Sequence, residues 1–370
     1  VAADHLHNSL LKWGIKSLRF RLNEPGAEGR RAQRGGEHEG GRGRAEVAYL
    51  AMRSAITDFQ IVVTTCSGAG HELMKTAAFS RVLIDECTQS VEPSSLIPLS
   101  HGCLRLVLIG DHKQLPPTVV AEKAQRDGLE RSLFARFAQC RIVEPVLLDQ
   151  QRRMHPSIAA FPNTHFYEGR VSDAAPNRSP VPGLPWACGG EMRVLLADTS
   201  NFGSADVMSS GEEREGTSWR NTREVEAVVE IMIKALCGRP GPGAAVPPEE
   251  IAVITPYQRQ KELLQNEFAQ RAAWGATSGS GDAEAAALAL LPRVRVSTVD
   301  GFQGAECDLV IFSAVRSNLS GQLGFLRDER RANVLLTRAR RGLVVVADAA
   351  TMRQATGSIW ARWLSWVEAE

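Results

Sequence analysis

Short apolar runs that end in polar or charged residues recur along this chain, and that repetition constrains its fold more than any other feature. The runs cover 60–64, 82–84, 104–109, 146–148, 193–197, 251–254, 294–297, 309–313 and 343–346. Most are rich in β-branched residues, as strands covered on both faces of a parallel sheet are. Helix-like stretches over 128–138, 222–236, 258–270 and 330–337 separate many of them. This alternation predicts parallel α/β architecture in two sheets. Polar groups gather where the runs end: Thr65-Cys66-Ser67-Gly68, Gly110-Asp111-His112-Lys113-Gln114, Gln151-Arg152-Arg153, Thr255-Pro256-Tyr257, Thr298-Val299-Asp300-Gly301 and Arg316. Open α/β sheets bind ligands outside the carboxyl ends of their strands, so these endings together predict a site.

The run at 82–84 leads straight into Asp85 and Glu86. Adjacent carboxylates at a strand tip suit nucleotide hydrolysis, where one holds Mg²⁺ through water and its neighbour orients or deprotonates the attacking water. Taken alone, the pair also reads as a solvated loop after an ordinary strand. Gln114 could sense a γ-phosphate, and Arg153 and Arg338 could balance charge on phosphoryl oxygens, a task that suits a planar, always-charged guanidinium. Singly, each arginine reads more readily as a surface ion pair; together and in this order they do not.

The 370 residues suffice for two domains. A net charge of +1 gives no sign of nucleic-acid binding, so any basic surface has to be local. Seven cysteines are scattered without a C-x-x-C pair, which predicts reduced thiols in an intracellular protein rather than a disulfide frame or zinc module. No apolar run reaches the length of a membrane span, and no signal peptide is evident. Residues 1–20 predict a helix with Leu6, Leu10 and Trp13 on one face, then a strand over 17–22. Residues 24–45, rich in Gly, Arg and Glu, read as a disordered linker or a degenerate insertion, a reading that outweighs contact of its Arg and Gly residues with RNA. Stretches 176–185 and 238–248 read as linkers, and 272–287 as a surface insertion. Asn221 and Glu224 have capping-box spacing, while Trp360, Trp363 and Trp366 have the helical spacing of core residues.

Longer stretches then become recognisable: VVTTCSGAG (62–70), VLIDECTQSVEP (82–93), LVLIGDHKQLPP (106–117), LLDQQRRMHPSIAAFPNTHFYEGRV (147–171), AVITPYQRQ (252–260), VSTVDGFQGAECDLVIFSAVRSN (296–318) and GFLRDERRANVLLTRARRGLVVV (324–346). In these the chain resembles the superfamily-one helicases of the nonsense-mediated-decay type, a group that includes the senataxin-like helicases. The resemblance covers most of the chain from Ile61 to Ala347. It implies two RecA-like parallel-sheet domains of the P-loop NTPase fold, at 1–146 and 147–370, the first incomplete. It implies ATP and Mg²⁺ as cofactors, with ATP hydrolysed between the two domains. Single-stranded RNA or DNA would be the partner, followed 5′ to 3′.

By that resemblance Asp85 is the metal ligand, Glu86 the catalytic base and Gln114 the γ-phosphate sensor. Arg153 and Arg338 reach the γ-phosphate, Arg338 as an arginine finger. Asp111, Arg152, Gly304 and Glu306 fall among the nucleotide-binding positions, and Thr65, Thr255 and Thr298 hold the nucleic-acid backbone. The resemblance also implies mRNA-decay or transcription-termination factors as partners, a monomer, and the cytoplasm ahead of the nucleus. Two departures stand out. No Gly-Lys-Ser/Thr occurs, so the family's phosphate loop is missing; together with Val1 in first place, this reads as a chain that starts after that loop. The family's Gln-Tyr-Arg-Met-His-Pro is here Gln151-Arg152-Arg153-Met154-His155-Pro156, with Arg152 for the base-packing tyrosine. Two alternatives stay open at this point. One is a non-catalytic nucleic-acid-binding remnant or scaffold. The other is a different nucleotide enzyme such as a kinase or a dehydrogenase, although G-x-G-x-x-G after the first strand is absent.

Overall fold

Strands that are apolar on both faces need cover on both sides; the second of the chain's two units supplies it, whereas in the first Leu83 and Val107 stay about half exposed. The computed structural model describes residues 2–20, 50–51, 53–176, 178–200, 211–237, 246–277 and 283–370. The compact units are Val1–Pro145 and Val146–Glu370. The expected linker at 24–45 lies outside the described residues.

In the first unit, helix α1 (Ala2–Lys12) leads to β1 (Leu18–Arg19), which pairs in parallel with β2 (Val62–Val63). Helix α1 stops earlier than its apolar pattern suggests. Gly14 is left-handed (φ 74), the Ile15 amide donates to Leu10 O at 2.9 Å and the Gly14 amide to Leu11 O at 3.0 Å, a Schellman ending. Trp13, expected on the helix's inner face, therefore lies in the turn and is 77% exposed. A short helix α2 (Cys66–Ala69) follows β2, and β3 (Arg81–Ile84) pairs in parallel with β4 (Arg105–Leu108) across helix α3 (Glu92–Leu99). Helix α4 (Leu133–Gln139) starts at Ser132, whose hydroxyl accepts the Ala135 amide at 3.1 Å. Phe20, Ile56, Met74 and Ala77 form a small core.

The second unit begins with a correction. Residues 146–148 form no strand: Val146 and Leu148 are exposed, and pairing starts later, where β5 (Gln150–Gln151) meets β6 (Ser172–Asp173). An apolar run becomes a strand only beside a partner, and the partner here first engages at Asp149 O, which accepts the Ser172 amide at 2.7 Å. Helix α5 (Pro156–Tyr167) lies between β5 and β6. Next come β7 (Val194–Asp198) and an antiparallel hairpin of β8 (Glu212–Glu215) and β9 (Ser218–Asn221). Helix α6 (Thr222–Cys237), β10 (Ile251–Thr255), helices α7 (Gln258–Thr277) and α8 (Ala283–Leu290), β11 (Arg295–Thr298) and β12 (Cys307–Ser313) follow. Helix α9 (Glu329–Leu336), β13 (Ala339–Ala347), helix α10 (Ala349–Gln354) and helix α11 (Ile359–Val367) complete it.

Strands β11-β10-β12-β13-β7 form one parallel sheet in that order. Alternation along β12 shows how both faces are filled. Leu309 and Ile311 join the cluster with Val228 and Met232 of α6 and Leu264 and Phe268 of α7. Phe312 points the other way and stacks on Trp360 of α11, ring centroids 5.3 Å apart. Trp360 and Trp363 are buried as expected, while Trp366 is half-buried against Phe161. The expected surface insertion at 272–287 is instead largely helical where described. Alanine-rich sequence favours helix, and Ala287 and Leu288 enter the core, with Leu288 passing so close to α7 that a Cβ on Gly275 would sit 3.0 Å from it.

The chain leaves β10 outward to β11, returns to β12, and then crosses to β13. The topological switch point therefore lies at the carboxyl ends of β10 and β12.

Candidate active site and nucleic-acid surface

In the first unit, the turn after β3 is fixed by a close approach. The Cys87 amide donates to Ile109 O at 2.9 Å, and a Cβ on Gly110 would lie 3.1 Å from Cys87 Sγ and 3.0 Å from Thr88 Cγ2. Only glycine lets the loop after β4 come that near, and the contact sets Asp111 and Gln114 on the loop beside the Asp85-Glu86 turn. Glu86 is left-handed (φ 51), an uncommon conformation for a residue with a Cβ and one that concentrates at functional turns. Its amide donates to Asp85 Oδ1 at 3.0 Å, and Gln89 Nε2 donates to Glu86 Oε2 at 2.7 Å. Gln114 Nε2 donates to Asp111 Oδ2 at 3.0 Å. Asp85 is exposed and Glu86 partly so. Burial pushes the neighbouring Cys87 thiol up to about 12, so it is inert beside these carboxylates. Thr65 caps α2, its hydroxyl accepting the Gly68 amide at 3.0 Å.

Among the described residues no cluster of three or more His, Cys, Asp or Glu could hold a metal by itself. A magnesium ion that keeps its waters and binds through one carboxylate and phosphate oxygens needs no such cluster, and the exposed Asp85 fits that use.

In the second unit, residues distant in sequence meet at the amino edge of the sheet, ahead of β12 and β13. Arg153 Nε donates to Glu306, and its Nη1 donates to Thr337 O at 3.0 Å. Arg340 reaches Glu306 at 3.4 Å, Asp308 at 2.7 Å, and also Glu250. Burial alone would raise the Glu306 carboxyl, but Arg153 and Arg340 outweigh it and hold it below the usual range. Arg338 is 3% exposed; its Nε donates to Val334 O at 2.8 Å and its Nη2 to Thr337 Oγ1 at 3.1 Å. The loop before α5 is held by Gln151, whose Oε1 accepts the amides of Arg153 at 3.0 Å and Met154 at 2.8 Å. Arg152 is exposed, donating to Gln150 Oε1 at 3.3 Å, and Gly304 turns with φ 76 just before β12.

The threonines lie at the other edge. Thr255 and Thr298, aligned partners at the ends of β10 and β11, differ in exposure. Thr255 is fully buried and its hydroxyl has no hydrogen-bond partner, whereas Thr298 is partly exposed and accepts the Gly301 amide at 3.2 Å. Within this unit, then, the polar strand ends predicted to share one edge are split between two. Arg153 follows β5, outside the five-stranded sheet, and reaches that sheet's amino edge through Glu306 and Thr337, while Thr255 and Thr298 sit at the carboxyl edge.

Behind the carboxyl edge lies a buried network that sequence reasoning missed. Asn221 caps α6 as expected, accepting the Glu224 amide at 3.2 Å. Glu224 does not return the bond in capping-box fashion. Its side chain accepts from Ser313 Oγ at 2.6 Å and from the Val315 amide at 2.8 Å. Gln260 joins Asn221 to Ser313, and Asn221 Nδ2 donates to Val315 O at 2.9 Å. These bonds hold Val315 left-handed (φ 72), a strained state for a β-branched residue. Glu224 is fully buried, and burial pushes its carboxyl up to about 8 against the pull of its two donors. Next to it Arg316 and Glu212 form a two-bond pair, 7% and 6% exposed, with the guanidinium 4.2 Å above the Trp219 ring. Their signal was present in Asn221, Glu224 and Arg316, but spacing alone assigned the first two to a helix cap.

Residues 129–350 match a family model described as an AAA domain, and residues 17–122 match a second model with the same description. A regulator of nonsense transcripts 1 homolog from Neurospora crassa is 36% identical over 82% of this chain and 26% of its own length. The ATP-dependent helicase NAM7 of Saccharomyces cerevisiae is 37% identical over 81% of this chain and 28% of its own. Helicase sen1 of Schizosaccharomyces pombe is 33% identical over 84% of this chain and 17% of its own. The chain thus spans between a sixth and about a quarter of the length of these relatives.

Proposed function

The chain belongs to the AAA-domain family, among the superfamily-one helicases similar to the nonsense-transcript regulators and Sen1, and from that premise we propose that it is motor machinery of an ATP-dependent helicase. The observation that carries the proposal is the meeting of Arg153, Glu306 and the 337–338 segment at one sheet edge, although their positions span most of the second unit. Guanidinium groups so gathered suit a polyanion, and Glu306 suits a hydroxyl donor such as a ribose.

In this reading Glu86 takes the proton of the attacking water, with Gln89 fixing one of its oxygens. Bound magnesium, held through Asp85, would neutralise phosphate charge. Gln114, tethered to Asp111, orients the water and registers the terminal phosphate. Arg153 and Arg338 stabilise the charge that builds on the transferred phosphoryl group. Thr65, Thr255 and Thr298 hold the backbone of a single strand, which gives affinity without sequence reading. Thr255 is fully buried and can do so only once it is exposed. RNA is our proposed substrate ahead of DNA, 5′ to 3′ our proposed direction, and mRNA-decay or termination factors our proposed partners. We place the protein inside the cell, in the cytoplasm rather than the nucleus. Among the described residues no helix is long and apolar enough to cross a membrane.

Because no Gly-Lys-Ser/Thr is present, we expect residues 1–370 alone to turn ATP over slowly. With the phosphate loop of a relative joined ahead of Val1, Glu86→Gln should abolish ATP turnover and leave ATP-dependent binding of RNA intact. Turnover near that of the parent chain would sink the assignment of Glu86 as the base.

A further inference from the structure

At the carboxyl edge of the second unit's sheet, a depression of about 90 Å³ is lined by Pro256, Thr298, Val299, Asp300, Phe325 and Arg331. A single exposed phenylalanine is ordinary on a protein surface. Phe325 differs in how firmly it is presented. It follows Gly324, which is left-handed (φ 57) and has no room for a side chain: a Cβ there would lie 2.6 Å from both Arg316 Nη1 and the Tyr257 hydroxyl oxygen. Tyr257 is buried, and its ring braces Phe325 at a centroid distance of 5.5 Å. On another side the Arg331 guanidinium carbon stands 5.2 Å from the Phe325 centroid. Arg331 is fixed in turn by Asp300 at 3.3 Å and Asp328 at 3.6 Å. So braced, the ring still leaves 52% of the residue's surface in solvent.

A rigid aromatic ring open to solvent, flanked by a guanidinium and next to a threonine hydroxyl, has the chemistry of a stacking step on a single-stranded track. We propose that Phe325 is the platform on which one base of a bound single strand stacks, with Arg331 meeting the adjoining phosphate. Asp300 would repel that phosphate if it stood alone, but its pairing with Arg331 offsets the charge until the phosphate competes for the same guanidinium. This deepens the helicase reading and rests on it.

The test compares binding of the 370-residue chain to a single-stranded RNA oligomer and to an abasic oligomer of equal length. Phe325→Leu keeps apolar bulk without a π face, and Phe325→Tyr keeps the ring. Phe325→Leu should lose on the order of ten-fold in affinity for the base-bearing oligomer and nothing for the abasic one, with Phe325→Tyr near the parent chain. Equal affinity of Phe325→Leu and the parent for the base-bearing oligomer would overturn the proposal. So would equal losses on both oligomers, which would make the residue a packing element. If the parent binds neither oligomer, with or without ATP and a relative's phosphate loop joined to it, the helicase reading itself fails, an outcome distinct from failure of the stacking site alone.

Discussion

The two edges of the second unit's sheet both carry charged groups and use them differently. At the amino edge, Arg153 and Glu306 are each about a third exposed, and the carboxylate is shared by two arginines. At the carboxyl edge, Glu224 is fully buried, its Oε2 accepting two bonds inside the protein and its Oε1 none, and Arg316 and Glu212 are almost as deep. Partly exposed ion pairs contribute little to stability and can exchange a carboxylate for a ligand's phosphate. Buried ones cannot be opened without a large penalty. The contrast teaches that the first edge keeps ion pairs a ligand could reach, as the proposed nucleotide site requires, while the second holds the β12 loop in one shape beneath the surface that carries Thr298 and Phe325.

The largest expected effect is on rate. In a chain carrying a phosphate loop, Arg338→Ala should slow nucleic-acid-stimulated ATP turnover by about 10³-fold or more, the usual range for removal of an arginine finger. Nucleotide affinity should fall much less. A loss confined to KM, with kcat unchanged, would move Arg338 from the transition state to ground-state binding.

At the other edge the corresponding change should act on folding. Arg316→Ala leaves the buried Glu212 carboxylate without its guanidinium, though still bonded to the Ser317 amide and Asn318 Nδ2, with an expected cost of about 3–5 kcal/mol in urea unfolding. Replacing both partners with apolar residues, Glu212→Leu with Arg316→Met, should recover much of that loss. If Arg316→Ala instead unfolds like the parent chain and loses only turnover, the two edges are not divided as argued.

How much of this was legible beforehand follows from what each residue's neighbours are. Strands β10, β12 and β13 were readable from their runs at 251–254, 309–312 and 343–346, where every position is apolar, a pattern that only a two-sided environment demands, whereas Arg340-Arg341-Gly342 at the start of β13 gave no such sign. Residues 146–148 have the same local pattern and no strand beside them, and pairing is not written in a short run. Glu224 was read from spacing as half of a capping box, yet its partners Ser313 and Val315 lie on β12 and just beyond it. Phe325 falls in a single turn of 3₁₀ helix with no periodicity to mark it, and its importance comes from Gly324 and Tyr257, which only the fold brings beneath it.

Titration offers a finer test of the buried edge. The Glu224 carboxyl stands at about 8 in the folded chain, against 4.5 ordinarily. Folding therefore takes up a proton between those values. The stabilisation from the neutral side chain is complete below about pH 4.5 and is lost as pH rises toward 8. Thermal unfolding of the parent chain should show this decline between about pH 4.5 and 8, and Glu224→Gln should flatten it. Equal slopes in the two proteins would mean that the carboxyl is ionised inside the fold.

The smallest effect should come from the exposed edge. Glu306 is held low by Arg153 and Arg340, so its contribution is present above the ordinary carboxylate range and fades as pH falls through its folded value. Because the pair is about a third exposed, screening reduces it, and Glu306→Gln should change unfolding free energy by less than about 1 kcal/mol. The same substitution should weaken nucleotide binding measurably, since the amide cannot replace an anionic acceptor for a ribose hydroxyl. A stability loss comparable to that of Arg316→Ala would make the amino edge a structural lock as well, and would remove the physical reason for assigning it to the ligand.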